Sequence, residues 1–197
     1  MDSSTPQPLD WSHELAEQMD WHWRRQLRPR LDGLADAEYF WEPVSGCWNL
    51  RPRGESRTPM AAGAGALLLD YAFPTPDPAP VTTIAWRLNH VLVGVLGQRN
   101  ASYFGGPSVD YRSFVYPETA AGALAELDRQ YARWIGGVRA LTRDQLATPV
   151  GDREPAVFSM TPMAGLVLHI HREMIHHGAE IALLRDLYLR EAPEGAG

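Results

Sequence analysis

The sequence predicts an all-α protein, a four-helix bundle with a long Pro/Gly-rich excursion between helices 1 and 2. Three observations carry this expectation. Four segments repeat apolar residues at three- and four-residue spacing, the period of one helix face. No segment alternates apolar and polar residues as a half-buried strand would. The segments are parted by stretches dense in proline and glycine, which interrupt helices.

The first helix is expected from about Asp10 to Leu34. Leu15, Met19, Trp23, Leu27, Leu31 and Leu34 form its apolar stripe, with Glu14, Glu17, Arg24, Arg25 and Arg28 off it. Pro29 should kink or end this helix, and Asp32-Gly33 is a stop signal. Ala35 to Pro80 follows, with seven prolines, at 43, 52, 59, 74, 76, 78 and 80, so any regular structure there must be short. Trp41, Trp48, Tyr71, Phe73 and the run Ala66-Leu67-Leu68-Leu69 mark it as a packed excursion. The second helix is expected from Thr83 to Tyr103, capped by Thr82 or Thr83, with Ile84, Leu88, Val91, Leu92 and Val95 facing the core. Gly105-Gly106-Pro107 stops it. The third runs from about Glu118 to Ala140 on Leu124, Leu127, Tyr131, Trp134, Ile135 and Val138, and Leu141–Leu146 adds a short turn. The fourth spans about Pro162 to Arg190, with Thr161 as its cap and proline at its first position. A single domain covering 1–197 is expected, with its core at about 10–190 and flexible termini.

Composition removes several chemistries. All 18 basic residues are arginines, against 24 acidic residues and a formal charge of −6. Without lysine there is no Schiff-base nucleophile and no phosphate-loop lysine, which excludes pyridoxal-phosphate enzymes, lysine aldolases and Walker-type NTPases. The negative charge argues against a nucleic-acid partner. One cysteine, Cys47, cannot form an internal disulfide, and between Gly46 and Trp48 it reads as a small buried hydrophobe. No signal peptide and no membrane span is legible, so the expected setting is cytoplasmic with no membrane partner.

The chemistry-bearing feature is the crowding of four of the seven histidines into His169-Ile-His171-Arg-Glu173-Met-Ile-His176-His177. Glu173 and His177 share one helix face. The apolar stripe reads Leu166, Ile170, Glu173, His177, Ile181, Leu184, so two polar side chains stand among core positions. A buried carboxylate must be paired or metal-bound. His90, between Leu88 and Val91, offers a third polar group on the second helix, and Gly94 and Gly97 remove bulk beside it. His90, Glu173 and His177 then form a three-ligand set with open positions, the pattern of a catalytic metal site, suited to zinc, nickel, iron or manganese. The alternative is a His–Glu network that only orders the core. His176 is a supporting or surface residue, or an alternative ligand. His171 lies further round the helix. Trp86 and Arg87, one turn before His90, and Trp48 and Asn49 on the excursion are possible pocket residues; ordinary packing is the competing reading for all four.

These residues resemble the DinB/YfiT-like superfamily of metal-dependent four-helix bundles. The matching pieces are Met19-Asp-Trp21-His-Trp23, Leu31-Asp-Gly-Leu34, Trp41-Glu-Pro-Val-Ser-Gly-Cys-Trp48-Asn-Leu50, Leu88-Asn89-His90 and Glu173-Met-Ile-His176-His177-Gly-Ala-Glu-Ile181, in that order over about residues 10–190. The resemblance implies a divalent metal on a second-helix histidine and a fourth-helix His-x-x-x-His, here His90, residue 173 and His177. Residue 173 is glutamate, a departure from the three-histidine form. Glu-x-x-x-His is similar to the pair in mycothiol-dependent maleylpyruvate isomerase, a zinc-binding relative with the same bundle.

The expected function is therefore a metal-dependent enzyme on a small-molecule substrate. A metal-activated thiol or water would be the nucleophile, in a thiol-dependent transferase or isomerase or in a hydrolase. A low-molecular-weight thiol cosubstrate is implied by the resemblance alone. The alternative is a non-catalytic metal- or ligand-binding bundle, and a non-haem iron oxygenase ranks third. A homodimer is compatible with the sequence, since bundles often pair, but no sequence feature fixes it.

Overall fold

The computed structural model describes residues 9–191, so the termini expected to be flexible lie outside the described residues. Helix α1 covers residues 11–30. It runs as α-helix over Trp11–His22, widens to a π-helical turn over Trp23–Leu27 and closes with Arg28–Arg30. Asp10 caps it, its carboxylate accepting the His13 backbone N–H. Pro29 was expected to kink or end the helix. The helix does end there, one residue on, after a stretch already widened, where the Arg28 N–H reaches back to the Trp23 carbonyl. The helix ends at Arg30, short of the expected Leu34, because Leu31-Asp32-Gly33 turns and Gly33 takes a φ of 72°, a left-handed conformation that favours glycine.

The excursion holds a short helix, α2 (Asp36–Tyr39), and a two-stranded antiparallel ribbon. Strand β1 (Leu50–Pro52) pairs with β2 (Leu67–Leu69) in the register Leu50↔Leu69, Arg51↔Leu68, Pro52↔Leu67. These three-residue strands are too short to show an alternating pattern in the sequence. Helix α3 covers residues 84–103 with its own π-helical turn, Val91–Gly97, in which the Gln98 N–H bonds the Val93 carbonyl. Thr83, not Thr82, caps it.

Helix α4 (Ala120–Arg139) is capped by Thr119, and α5 (Arg143–Ala147) by Thr142, which exchanges bonds with Gln145 in a capping box. Two single 3₁₀ turns, Gly151–Arg153 and Ala156–Phe158, lead to α6 (Met163–Glu191). Pro162 stands just before α6 rather than at its first position. The four long helices pack as a bundle, α1 and α3 each lying against α4 and α6. Met19, Leu31, Leu88, Leu92, Leu96, Leu127, Trp134, Ile170 and Met174 are fully buried between them. Each large aliphatic group so buried contributes about 1.5–3 kcal/mol. Trp23, in the π-helical turn of α1, stacks on Tyr131 of α4 at 4.0 Å between ring centroids. No described helix is long and apolar enough to cross a membrane.

Candidate metal centre

His90 ends the α-helical part of α3, where the π-helical turn begins, and projects toward α6. Its ring lies 4.9 Å from that of His177, the two planes nearly perpendicular. On its other sides it is flanked by the parallel rings of Trp86, at 5.5 Å, and Tyr111, at 6.2 Å. His90 Nδ1 is 2.7 Å from the Tyr111 hydroxyl, which leaves Nε2 unspent. Burial, followed by the charges of His177, Arg87 and Arg99, pushes the His90 pKa down to about 4. Its ring is therefore neutral at physiological pH, and a neutral imidazole has a lone pair to give.

The glycines beside His90 are explained by a segment between α3 and α4. A β-carbon at position 94 would collide with the Tyr111 hydroxyl, and one at 97 would crowd Val109 and the Leu92 carbonyl. The missing side chains let residues 109–111 lie directly on α3. Tyr111 reaches His90 only because position 94 is bare.

On α6 the expected stripe needs one correction. Glu173 is not a core residue; its side chain is 27% exposed, and Met174 fills the buried position beside it at 1%. Glu173 instead sits at the rim, reaching His177 Nε2 at 3.6 Å, His169 Nδ1 at 3.5 Å and Arg172 at 3.8 Å. His177 is buried. His171, further round the helix as expected, turns into the bundle against Trp134 and is buried. Burial pushes its pKa down to about 4. His176 is exposed, with Nε2 3.4 Å from Glu180.

Glu180 is the residue that the sequence reading missed. Its carboxylate accepts from His177 Nδ1 at 2.8 Å and pairs with the Arg87 guanidinium. The signal was available, since Glu180 follows His177 by three residues and His176 by four. Arg87 therefore faces α6 and holds Glu180 rather than bordering a pocket. Tyr111 was missed as well; only the bare position at Gly94 hinted at it.

Among the described residues, the group whose ligand atoms all lie within 4.8 Å of one another is His176, His177 and Glu180. The expected set of His90, Glu173 and His177 is not such a group, although His90 and Glu173 each lie against His177. Both carry the imidazole and carboxylate donors that a divalent ion accepts.

A cavity of about 740 Å³ opens beside His90 and Trp86, walled on its far side by the excursion and by Tyr111 and Arg112. Trp86 lines it, held by an indole N–H bond to the Asp70 carbonyl at 2.7 Å. Trp48 and Asn49, considered as pocket residues, stand behind that wall. Trp48 packs on Trp86 and Tyr71, and Asn49 is buried in a hydrogen-bonded network. Cys47 is buried with its thiol on the Val44 carbonyl, and burial pushes its pKa up, the opposite of what a nucleophile needs.

No curated protein and no solved structure matches the chain. The family model described as DinB superfamily matches residues 18–181, from the first helix of the bundle through the Glu173–Glu180 stretch, and the chain belongs to that superfamily.

Proposed function

We propose that the protein is a metal-dependent enzyme acting on a small molecule, with His90, Glu173 and His177 as the protein ligands of one divalent ion, zinc foremost. The observation that carries this reading is the way each imidazole is held. His177 gives its Nδ1 edge to Glu180, which is itself fixed by Arg87, and His90 gives its Nδ1 edge to Tyr111. An outer carboxylate or hydroxyl on one ring nitrogen is the usual way a histidine ligand is oriented, leaving Nε2 for the metal. Glu173, beside His177 Nε2, adds a negative charge that a cation would neutralise.

A metal so held supplies Lewis acidity, lowering the pKa of a thiol or water so that it is nucleophilic at neutral pH. The protein's own residues bind and orient. Trp86, Tyr111 and the excursion shape the cavity on one side of His90. Burial keeps His90 neutral, so no proton competes with the metal for its lone pair. The chain offers no lysine and its cysteine is buried, which favours a nucleophile borrowed from solvent or from a low-molecular-weight thiol.

The compact His176, His177 and Glu180 set favours a second reading, a metal held by α6 alone and serving no reaction. Metal content separates the two. The first reading expects about one ion per chain, lost in His90→Ala and kept in His176→Ala. Retention in His90→Ala with loss in His176→Ala would establish the second.

A further inference from the structure

The cavity beside His90 has a charge character opposite to that of the whole chain. The protein carries 24 acidic and 18 basic residues, yet no aspartate or glutamate lines this cavity. Two arginines do, Arg53 and Arg112. The rest of the wall is apolar or aromatic, with Met60, Leu68 and Trp86 among its members.

The arginines belong to the same stretch of wall. Arg53 follows β1, and its Nη2 donates to the carbonyls of Gly63 and Gly65, both at 2.9 Å. Ala64, between those glycines, donates its backbone N–H to the Phe114 carbonyl at 2.9 Å, two residues beyond Arg112. Both bonds of Arg53 are spent on one nitrogen, so its Nε and Nη1 donors stay available. Arg112 is held through its backbone N–H by Asp110. Neither guanidinium is ion-paired to a carboxylate among the described residues.

Unpaired guanidinium groups on a concave, largely apolar wall recognise a planar anion, since their donors match both oxygens of a carboxylate. A volume of about 740 Å³ is in the range of small-molecule pockets. We infer that the cavity binds a small organic carboxylate with an apolar or aromatic body, its carboxylate held by Arg53 and Arg112 and its body laid against Trp86, Met60 and Leu68. The inference rests on the proposed reading of the His90 site, because it names the substrate class for that site.

Calorimetric titration with 2-naphthoate and its neutral analogue 2-naphthamide tests it, on both metal-free and zinc-loaded protein. The expected result is naphthoate binding about tenfold tighter than naphthamide in both forms. Arg112→Gln should remove most of that preference, and this variant disturbs no bond that holds the fold. Arg53→Gln should act alike, with a thermal melt to check the Gly63–Gly65 stretch it braces. Equal binding of acid and amide, or no binding of either, would overturn the inference. So would a preference confined to zinc-loaded protein and intact in Arg112→Gln, because the carboxylate would then sit on the metal. If the metal-free protein keeps the preference while zinc never binds, the anion site stands and the metal reading falls.

Discussion

Two polar clusters border the same helix, α3, and they differ in how much of their bonding capacity is used. Behind the cavity wall, Asn49 is buried with every side-chain polar atom partnered. Its amide N–H groups go to the Phe40 carbonyl and Glu42, and its oxygen accepts from Leu50 N–H and the Thr83 hydroxyl. Asp70, nearly fully buried, accepts from Asn49 N–H, Arg51, Ser56 and Thr58. That network is closed and serves the fold, tying the excursion to the cap of α3. In the His90–His177 cluster the outer nitrogens are bonded and the inner ones are not. Polar residues on either side of one helix thus separate into a spent set, built on Asn49 and Asp70, that holds structure and an unspent set, built on two histidines, that can hold a ligand.

The largest expected effect breaks the unspent cluster outright. His90→Ala and His177→Ala should each take metal content from about one ion per chain to near zero, by elemental analysis, while far-UV circular dichroism stays helical. Full metal content in both variants would end the proposed triad. Glu180→Gln should be next, weakening metal affinity about 10- to 100-fold by freeing the His177 ring. An unchanged affinity in a competition titration would show that Glu180 orients nothing.

The closed network should respond in the opposite currency. Asn49→Leu leaves the Thr83 hydroxyl and the Leu50 N–H without their partner and should cost about 1–3 kcal/mol in urea unfolding, with metal content unchanged. Loss of metal there would mean that the two clusters are one unit. Tyr111→Phe should be milder, removing one bond to His90 and lowering metal affinity a few-fold with little change in stability.

The smallest effect concerns a third polar group, far from both. Asp20 on α1 is buried, which opposes its ionisation. Hydrogen bonds from Arg139, at 2.5 Å, and Tyr131, at 2.9 Å, outweigh that and hold its pKa below the ordinary 3.8. A carboxylate lowered on folding stabilises above its unfolded value and loses that contribution as pH falls through the folded one. Asp20→Asn should therefore flatten part of the stability loss below about pH 4, seen by urea titration at each pH. An unaltered pH profile would place the acid sensitivity elsewhere.

Much of this was legible in the sequence because it depends on local period. The apolar spacing gave the four helices, and the clustering of histidine and glutamate pointed to α6 and α3. Glu173 was assigned to the core because an ideal stripe allots every third or fourth position to it. The structure gives the buried position to Met174 and leaves Glu173 at the rim, where a carboxylate stays partly hydrated. The π-helical turns in α1 and α3 shift each face by a fraction of a turn, and no residue pattern announced them.

The sequence by itself determined the helical class, the family and the chemistry that this chain lacks, since each follows from composition or from order along the chain. Only the tertiary structure decided that Tyr111 reaches His90, that Glu180 and Arg87 steady His177, and that Arg53 and Arg112 share a wall with no carboxylate. Apart from the local His177–Glu180 pair, those contacts join segments tens of residues apart. What brings them together is the packing of α6 and of two loops on α3, and sequence spacing does not encode that distance.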